Sequence, residues 1–254
     1  MTRAPALFVG HGAPTLALDP VKGAPLRALG ARLEPAAVLV VSAHWESGPL
    51  RWGTVSTRPL MYDFYGFPAP LYNVQYASPG ASDLSKRVAA LLGSEASEQS
   101  ERALDHGVWT PLVHMYPEAN RPVLQVSLPG SAGPQAVFAL GQKLAPLRDE
   151  GVLLMGSGNL THNLRAIARE GSAPRPVYEE FDRWAEEKLA ARDFDALIDA
   201  AHKGPGYLEN HPSDEHYLPL LFTLGAAGES ERASYPVQGW EYGNLSRRAV
   251  LFES

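Results

Sequence analysis

The sequence predicts one α/β domain over residues 1–254, with a mixed, mostly parallel central sheet, helices on both faces and the active site at the carboxyl ends of the strands. Three observations lead there. Four short apolar runs are bounded by Gly, Pro or polar residues and read as strands buried on both faces. Between them lie stretches in which Leu and Val recur three or four residues apart, the spacing of an amphipathic helix. Two further runs alternate in polarity, as half-buried strands do, and these make the sheet mixed.

In chain order, the buried strands are Ala6-Leu-Phe-Val9, Ala37-Val-Leu-Val-Val41, Pro122-Val-Leu-Gln-Val126 and Gly151-Val-Leu-Leu-Met155. Helical spacing covers Gly23 to Leu33, Ser82 to Leu92 and Pro134 to Leu147. The alternating runs are Leu50 to Val55 and Tyr72 to Tyr76. The last third is more helical. Val177 to Arg192 sets Phe181, Trp184 and Leu189 among charged residues, and Asp193 to Ala201 and Glu215 to Leu224 continue the pattern. Ala233 to Val237 and Arg248 to Phe252 read as closing strands. Pro and Gly are scattered in short turns, and neither a repeat nor an inter-domain linker is visible.

Composition narrows the chemistry. With 22 Lys+Arg against 28 Asp+Glu, the net charge is −6, and no basic block offers a nucleic acid its phosphate contacts. The absence of cysteine excludes disulfides, thiolate nucleophiles, iron–sulfur clusters and Cys-type zinc sites. Any metal must therefore sit on His, carboxylate or carbonyl ligands. The longest apolar runs, such as Ala36 to Val41, fall far short of the roughly 20 residues that span a bilayer. Ala4 to Val9 is too short for a signal sequence and lacks a small-residue cleavage site. The expectation is a soluble cytoplasmic protein with neither nucleic acid nor membrane as partner; a homo-oligomer is compatible with it.

Histidine is then the residue to follow. His11 comes directly after the first strand, in Phe8-Val-Gly-His-Gly-Ala-Pro14, and His44 after the second, in Val40-Val-Ser-Ala-His-Trp45. If those strands are parallel, both rings emerge at one carboxyl edge, where open α/β sheets bind ligands. The strand ending at Met155 leads through Gly156-Ser-Gly158 to His162 and brings a third histidine there. One histidine after a strand is usually a hydrogen-bonded loop residue; three after three strands point to a metal or catalytic site. Gly156-Ser-Gly158 reads as a turn that presents His162. It lacks the third glycine of a dinucleotide fingerprint and the lysine of a phosphate loop, so neither NAD nor ATP is implied.

Other motifs add candidates. In His211-Pro-Ser-Asp-Glu-His-Tyr-Leu-Pro219, Asp214, Glu215 and His216 are ligand-capable at a helix start, where Ser213 or Asp214 could instead serve as a cap. Leu104-Asp105-His106-Gly107 puts a carboxylate beside a histidine, with a plain helix cap as the simpler role for Asp105. His114 and His202 have no such setting and read as structural or solvent-exposed. Met61-Tyr-Asp-Phe-Tyr-Gly-Phe-Pro68 holds four aromatics, Tyr62, Phe64, Tyr65 and Phe67, which either plug the core or stack on a planar ring.

Taken in order, His11-Gly-Ala-Pro14, Ser42-Ala-His-Trp45, Tyr62-Asp-Phe-Tyr-Gly-Phe-Pro68, Leu104-Asp-His-Gly-Val-Trp109, Gly156-Ser-Gly158 with His162-Asn163, and Glu215-His216-x-x-Pro219 resemble the class III extradiol ring-cleavage dioxygenases, most closely the 4,5-DOPA dioxygenase extradiol family. The motifs run from residue 11 to residue 219, nearly the whole chain. The resemblance implies that His11, His44 and His216 ligate a metal, with Glu215 the alternative to His216 because the wider superfamily usually has a glutamate there. It gives His162 the role of acid/base or of a fourth metal ligand. His106 becomes a catalytic histidine facing the substrate, and Tyr62, Phe64 and Tyr65 become substrate contacts. The implied reaction opens a small catechol, DOPA-like or other, with dioxygen to a semialdehyde, using Fe(II); Zn(II) would occupy the same histidines without ring-opening activity. Two other readings use the same ligands: a mononuclear zinc hydrolase, and a non-catalytic metal-binding protein.

Overall fold

The structure is a computed structural model and describes residues 3–253; Met1, Thr2 and Ser254, the ends of the expected 1–254 domain, lie outside the described residues. The first strand, Ala6–Gly10 (β1), is followed by helix Ala24–Arg32 (α1), strands Ala37–Glu46 (β2) and Leu50–Gly53 (β3), and helix Ser82–Leu92 (α2). Next come Ala96–Gln99 (β4), His106–Met115 (α3), Val123–Leu128 (β5), Pro134–Leu144 (α4) and Val152–Gly158 (β6). The helical third holds Pro176–Ala191 (α5), Phe194–Ile198 (α6), Ala200–Lys203 (α7), Tyr207–Asn210 (α8) and Leu218–Ala226 (α9). Four short strands close the chain: Arg232–Ser234 (β7), Trp240–Glu241 (β8), Leu245–Ser246 (β9) and Val250–Glu253 (β10).

Eight strands form one sheet in the order β4-β3-β5-β2-β6-β1-β10-β7. The middle four, β5, β2, β6 and β1, are parallel, so their carboxyl ends share an edge. β10 and β7 add on antiparallel at one side; β3 pairs antiparallel with β5 and parallel with β4 at the other. The mixed, mostly parallel α/β fold is as expected, and the reason is visible in single strands. Leu7 and Val9 join α1 and α3 in one core, whereas Ala6 and Phe8 join α4, α5 and α9 in the other. Successive residues point to opposite faces, and both faces are covered, hence the unbroken apolar runs. Among the described residues no helix is long and apolar enough to cross a membrane.

Several boundaries moved. Tyr72 to Tyr76 is not a strand: Ala69–Asn73 is a 3-10 turn between prolines, and both edges of β3 are already taken by β4 and β5. Asp193 to Ala201 splits into α6 and α7 at Asp199, and Pro134 to Leu147 finishes as a 3-10 turn after Leu144. Of Ala233 to Val237 only Ala233 and Ser234 pair in the sheet, together with Arg232 before them. The last apolar helix begins at Leu218 rather than Glu215, with Pro219 in its first turn, where a missing N–H costs nothing. The short strands β4, β8 and β9 carry no apolar run long enough to signal them.

Gly156-Ser-Gly158 is a correction that bears on the site. It is the end of β6, not a turn. A Cβ on Gly156 would collide with the Pro219 carbonyl oxygen, and one on Gly158 with that of His216. These glycines let the segment that carries His216 lie directly on the strand. Gly158→Ala is therefore expected to cost about 1–3 kcal/mol through overpacking and to shift His216. Urea unfolding would measure the first effect and metal content the second; an unchanged unfolding midpoint would refute the close-approach role.

Candidate active site

Three chain segments meet at the shared carboxyl edge. His11 follows β1, and its backbone N–H donates to the Gly158 carbonyl at the end of β6, 2.9 Å away. His44 lies within β2 rather than after it, past the last pairing with β6 at Ser42 and on the stretch where the ladder to β5 shifts register. Such an irregularity re-aims side chains at a strand end. His216 sits in the turn before α9, where its carbonyl accepts from Asn159 N at 3.0 Å. The ligand nitrogens of His11, His44 and His216 all lie within 4.8 Å of one another. His11 Nε2 and His44 Nε2 are 3.2 Å apart.

Neighbours set the tautomers. The Ser157 hydroxyl donates to the Gly107 carbonyl, so its oxygen accepts from His11 Nδ1, 3.0 Å away. Glu215 Oε1 accepts from His216 Nδ1 at 2.8 Å. Both rings thus carry their proton on Nδ1 and leave Nε2 unprotonated. Burial, then the surrounding histidines, hold His11 and His216 well below the usual imidazole range. Burial and His106 lower His44 to about 4. Neutral nitrogens that converge in this way repel one another and suit a divalent cation. The carboxylate behind His216 is the arrangement that orients a metal-bound imidazole.

His106 and His162 flank this group in different ways. His106 opens α3, its backbone N–H donating to Asp63 Oδ1 at 3.0 Å, and its ring lies 3.9 Å from that of His44. His106 Nδ1 is also 2.9 Å from Asp63 Oδ1, off the line of a well-formed hydrogen bond. His162 stacks face to face on His216, ring centroids 3.4 Å apart and planes 7° from parallel. It groups with Glu215 and His216, not with His11 and His44. Burial lowers it to about 4, leaving a neutral base.

Two carboxylates emerge that the sequence did not single out for these roles. Burial would raise Asp63, but the His106 and His44 imidazoles beside it outweigh that and bring it to about 2. It lies 3.7 Å from His44 Nδ1 and so faces two of the histidines. Asp105 is fully buried and makes no side-chain cap. It accepts from Ser42 Oγ at 2.7 Å, Arg102 Nη2 at 2.5 Å and Gln125 Nε2 at 2.8 Å, and Arg102 in turn covers the Trp45 ring at 4.6 Å. This network ties β2, on either side of His44, to the start of α3. The other histidines are structural or exposed: His114 contacts the Leu16 carbonyl, His211 the Leu160 carbonyl, and exposed His202 pairs with Asp199.

Above the histidines opens a cleft of about 610 Å³. Phe64, Tyr65 and Phe67 line it from the aromatic loop, with Leu164, Ile167, Tyr242 and Leu245 on later segments. Tyr62 does not line it. Its hydroxyl donates to the Val74 carbonyl at 2.7 Å, and its ring packs with Phe64, Tyr72 and Trp109, which makes it a support for Phe64. Leu164 and Ile167 were not singled out by sequence; their one signal is that they are apolar residues in a polar stretch just after His162. Tyr242 had no signal; it takes a left-handed φ of 52° where its carbonyl accepts from Ala168 N.

Residues 24–252 match the family described as the catalytic LigB subunit of aromatic ring-opening dioxygenase. A relative from Escherichia coli strain K12, named 4,5-DOPA dioxygenase extradiol, is 39% identical over 98% of this chain and 94% of its own length. One of the same name from Beta vulgaris is 36% identical over 97% of this chain and 96% of its own. The crystal structure of an uncharacterized protein from Escherichia coli K12 has a TM-score of 0.83 at 34% identity, covering 98% of this chain and 99% of that one.

Proposed function

The chain belongs to the LigB family of aromatic ring-opening dioxygenases and is an extradiol ring-cleavage enzyme, and from that premise we propose that it opens a small catechol at a ferrous ion held by His11, His44 and His216. Membership sets aside the hydrolase and the non-catalytic metal-binding readings. The observation that carries the proposal is the convergence of three neutral imidazoles, His11 and His216 buried and His44 half-buried, beneath an aromatic-lined cleft. His11, His44 and His216 would hold the ion, and a ferrous ion bound there would supply the redox chemistry that lets dioxygen react with a catechol.

The protein's own groups do the rest. Glu215 and Ser157 keep the Nδ1 protons of His216 and His11 in place, so that Nε2 stays available. His162, neutral at pH 7, takes the proton of a catechol hydroxyl on a ring nitrogen and returns it as the carbon–carbon bond beside the diol opens. His106, braced by Asp63, faces the substrate from the other side. Phe64 and Tyr65 offer ring faces and edges to the catechol. Both atoms of dioxygen end in the semialdehyde product. We assign the whole chain to one catalytic domain.

Anaerobic loading with Fe(II), followed by oxygen and a panel of catechols, should yield a yellow semialdehyde. The zinc-loaded protein should bind the same catechols without opening them. Iron-loaded protein that consumes no oxygen with any catechol would overturn the proposal. Phe64→Ala is expected to raise KM for catechol several-fold at normal iron content. Tyr62→Ala, by contrast, should lower thermal stability more than it changes saturation. Equal kinetics in wild type and Phe64→Ala would return the loop to a packing role.

A further inference from the structure

We propose that Tyr242 is a specificity-determining residue of the ring-cleavage site, its phenol hydroxyl donating a hydrogen bond to an oxygen on the side chain of the catechol, an inference that rests on the function proposed above. A catechol held by its two oxygens at the histidine cluster leaves any substituent to the rest of the cleft, about 610 Å³ in all and more than a bare catechol needs. Tyr242, half-buried, lines that space from the turn between β8 and β9.

Its backbone is the first sign of a role. Asn244 N donates to the Glu241 carbonyl at 3.2 Å, which closes a turn whose two central residues, Tyr242 and Gly243, take left-handed φ angles of 52° and 70°. Such a turn favours Asn, Asp or Gly at both places, and a bulky ring at the first is strained. Strain of this kind gathers at ligand clamps, where the surrounding structure enforces it. Thr54, Ala119 and Arg192 share the left-handed region, but of these four residues Tyr242 alone lines the cleft. What enforces it are the segments that carry the histidines. Thr161 Oγ1 donates to the Asn244 carbonyl at 2.7 Å, and Asn244 Nδ2 donates to the Asn163 carbonyl, on either side of His162. Glu241 Oε2 accepts from Ala13 N at 2.8 Å, just past His11. Tyr242 is thus fixed relative to both histidines.

The side chain brings a donor to this place. Among the described residues the Tyr242 hydroxyl has no hydrogen-bond partner, whereas Tyr62 donates to the Val74 carbonyl and Tyr217 to the Leu197 carbonyl. Apart from the histidines, the other polar side chains lining the cleft are Asp63, which as a carboxylate only accepts, and Tyr65, which is 93% exposed. A phenol O–H donates to a carboxylate, carbonyl or hydroxyl oxygen alike. Arg165 and Arg169, exposed on the same rim and outside the cleft lining, add a water-screened attraction for an anionic side chain.

The test uses full-length protein and two readouts: kcat/KM of the iron-loaded enzyme, and anaerobic calorimetric affinity of the zinc-loaded protein. Its probes are propylcatechol, dihydroxyphenylpropanamide, which adds an uncharged oxygen acceptor, and dihydroxyphenylpropanoate, which adds a carboxylate. Tyr242→Phe keeps the ring and the turn but loses the donor, so both polar probes should fall roughly three- to tenfold relative to propylcatechol. Arg165→Ala and Arg169→Ala should lower only the propanoate. Unchanged ratios in Tyr242→Phe would overturn the inference, including the case in which all three probes fall together, the mark of a packing role. If iron-loaded wild type opens none of the probes, the functional reading fails, while the affinities of zinc-loaded protein still decide the inference; zinc-loaded protein that binds no probe would overturn it as well.

Discussion

His216→Ala is expected to empty the site of iron and abolish ring cleavage, and Glu215→Ala to do so only in part. His216 contributes a nitrogen to the three-histidine group, whereas Glu215 holds its Nδ1 proton at 2.8 Å. Loss of a partner that only orients a ligand costs roughly 10–100-fold in metal affinity. Loss of the ligand should exceed that, and His11→Ala and His44→Ala should behave like His216→Ala. Metal content after dialysis, read beside oxygen uptake, checks the order. Retention of iron by His216→Ala together with its loss from Glu215→Ala would make the carboxylate the ligand, the off-by-one alternative that two adjacent ligand-capable residues present.

The second large effect concerns His162. Because it stacks on His216 and stands outside the group formed with His11 and His44, His162→Ala should keep most of its iron and still bind catechol. Turnover should fall roughly 10²–10⁴-fold, the scale of a lost general acid–base group. A small loss of iron is also expected, since His216 loses the ring that packs against its face. Iron loss as severe as in His216→Ala would instead make His162 a fourth ligand. Near-normal ring cleavage would remove it from the chemistry altogether.

By itself the sequence determined the layers of the fold and placed His11 and His44 at one strand edge, whereas it was the tertiary structure that set His216 rather than His162 beside them. Two-sided burial writes itself locally as unbroken apolar runs such as Ala37 to Val41, and helical burial as spacing such as that of Ser82 to Leu92. A histidine just past such a run must emerge near the strand's carboxyl end, so His11 and His44 were legible before any contact was known. Tertiary structure alone decided what holds and surrounds them. The proton on His11 depends on Ser157, 146 residues away, and the setting of His106 on Asp63, 43 residues before it. Gly156 and Gly158 looked like a turn because glycine carries no mark of what approaches it; only the packed chain brings the Pro219 and His216 carbonyls onto β6. Tyr62 and Phe64 are near neighbours of one chemical kind, yet one packs behind the loop and the other lines the cleft. Periodicity reports which residues are buried, because burial follows from the geometry of a single element; which polar group meets which is set by contacts between elements far apart in the chain, and no local pattern encodes them.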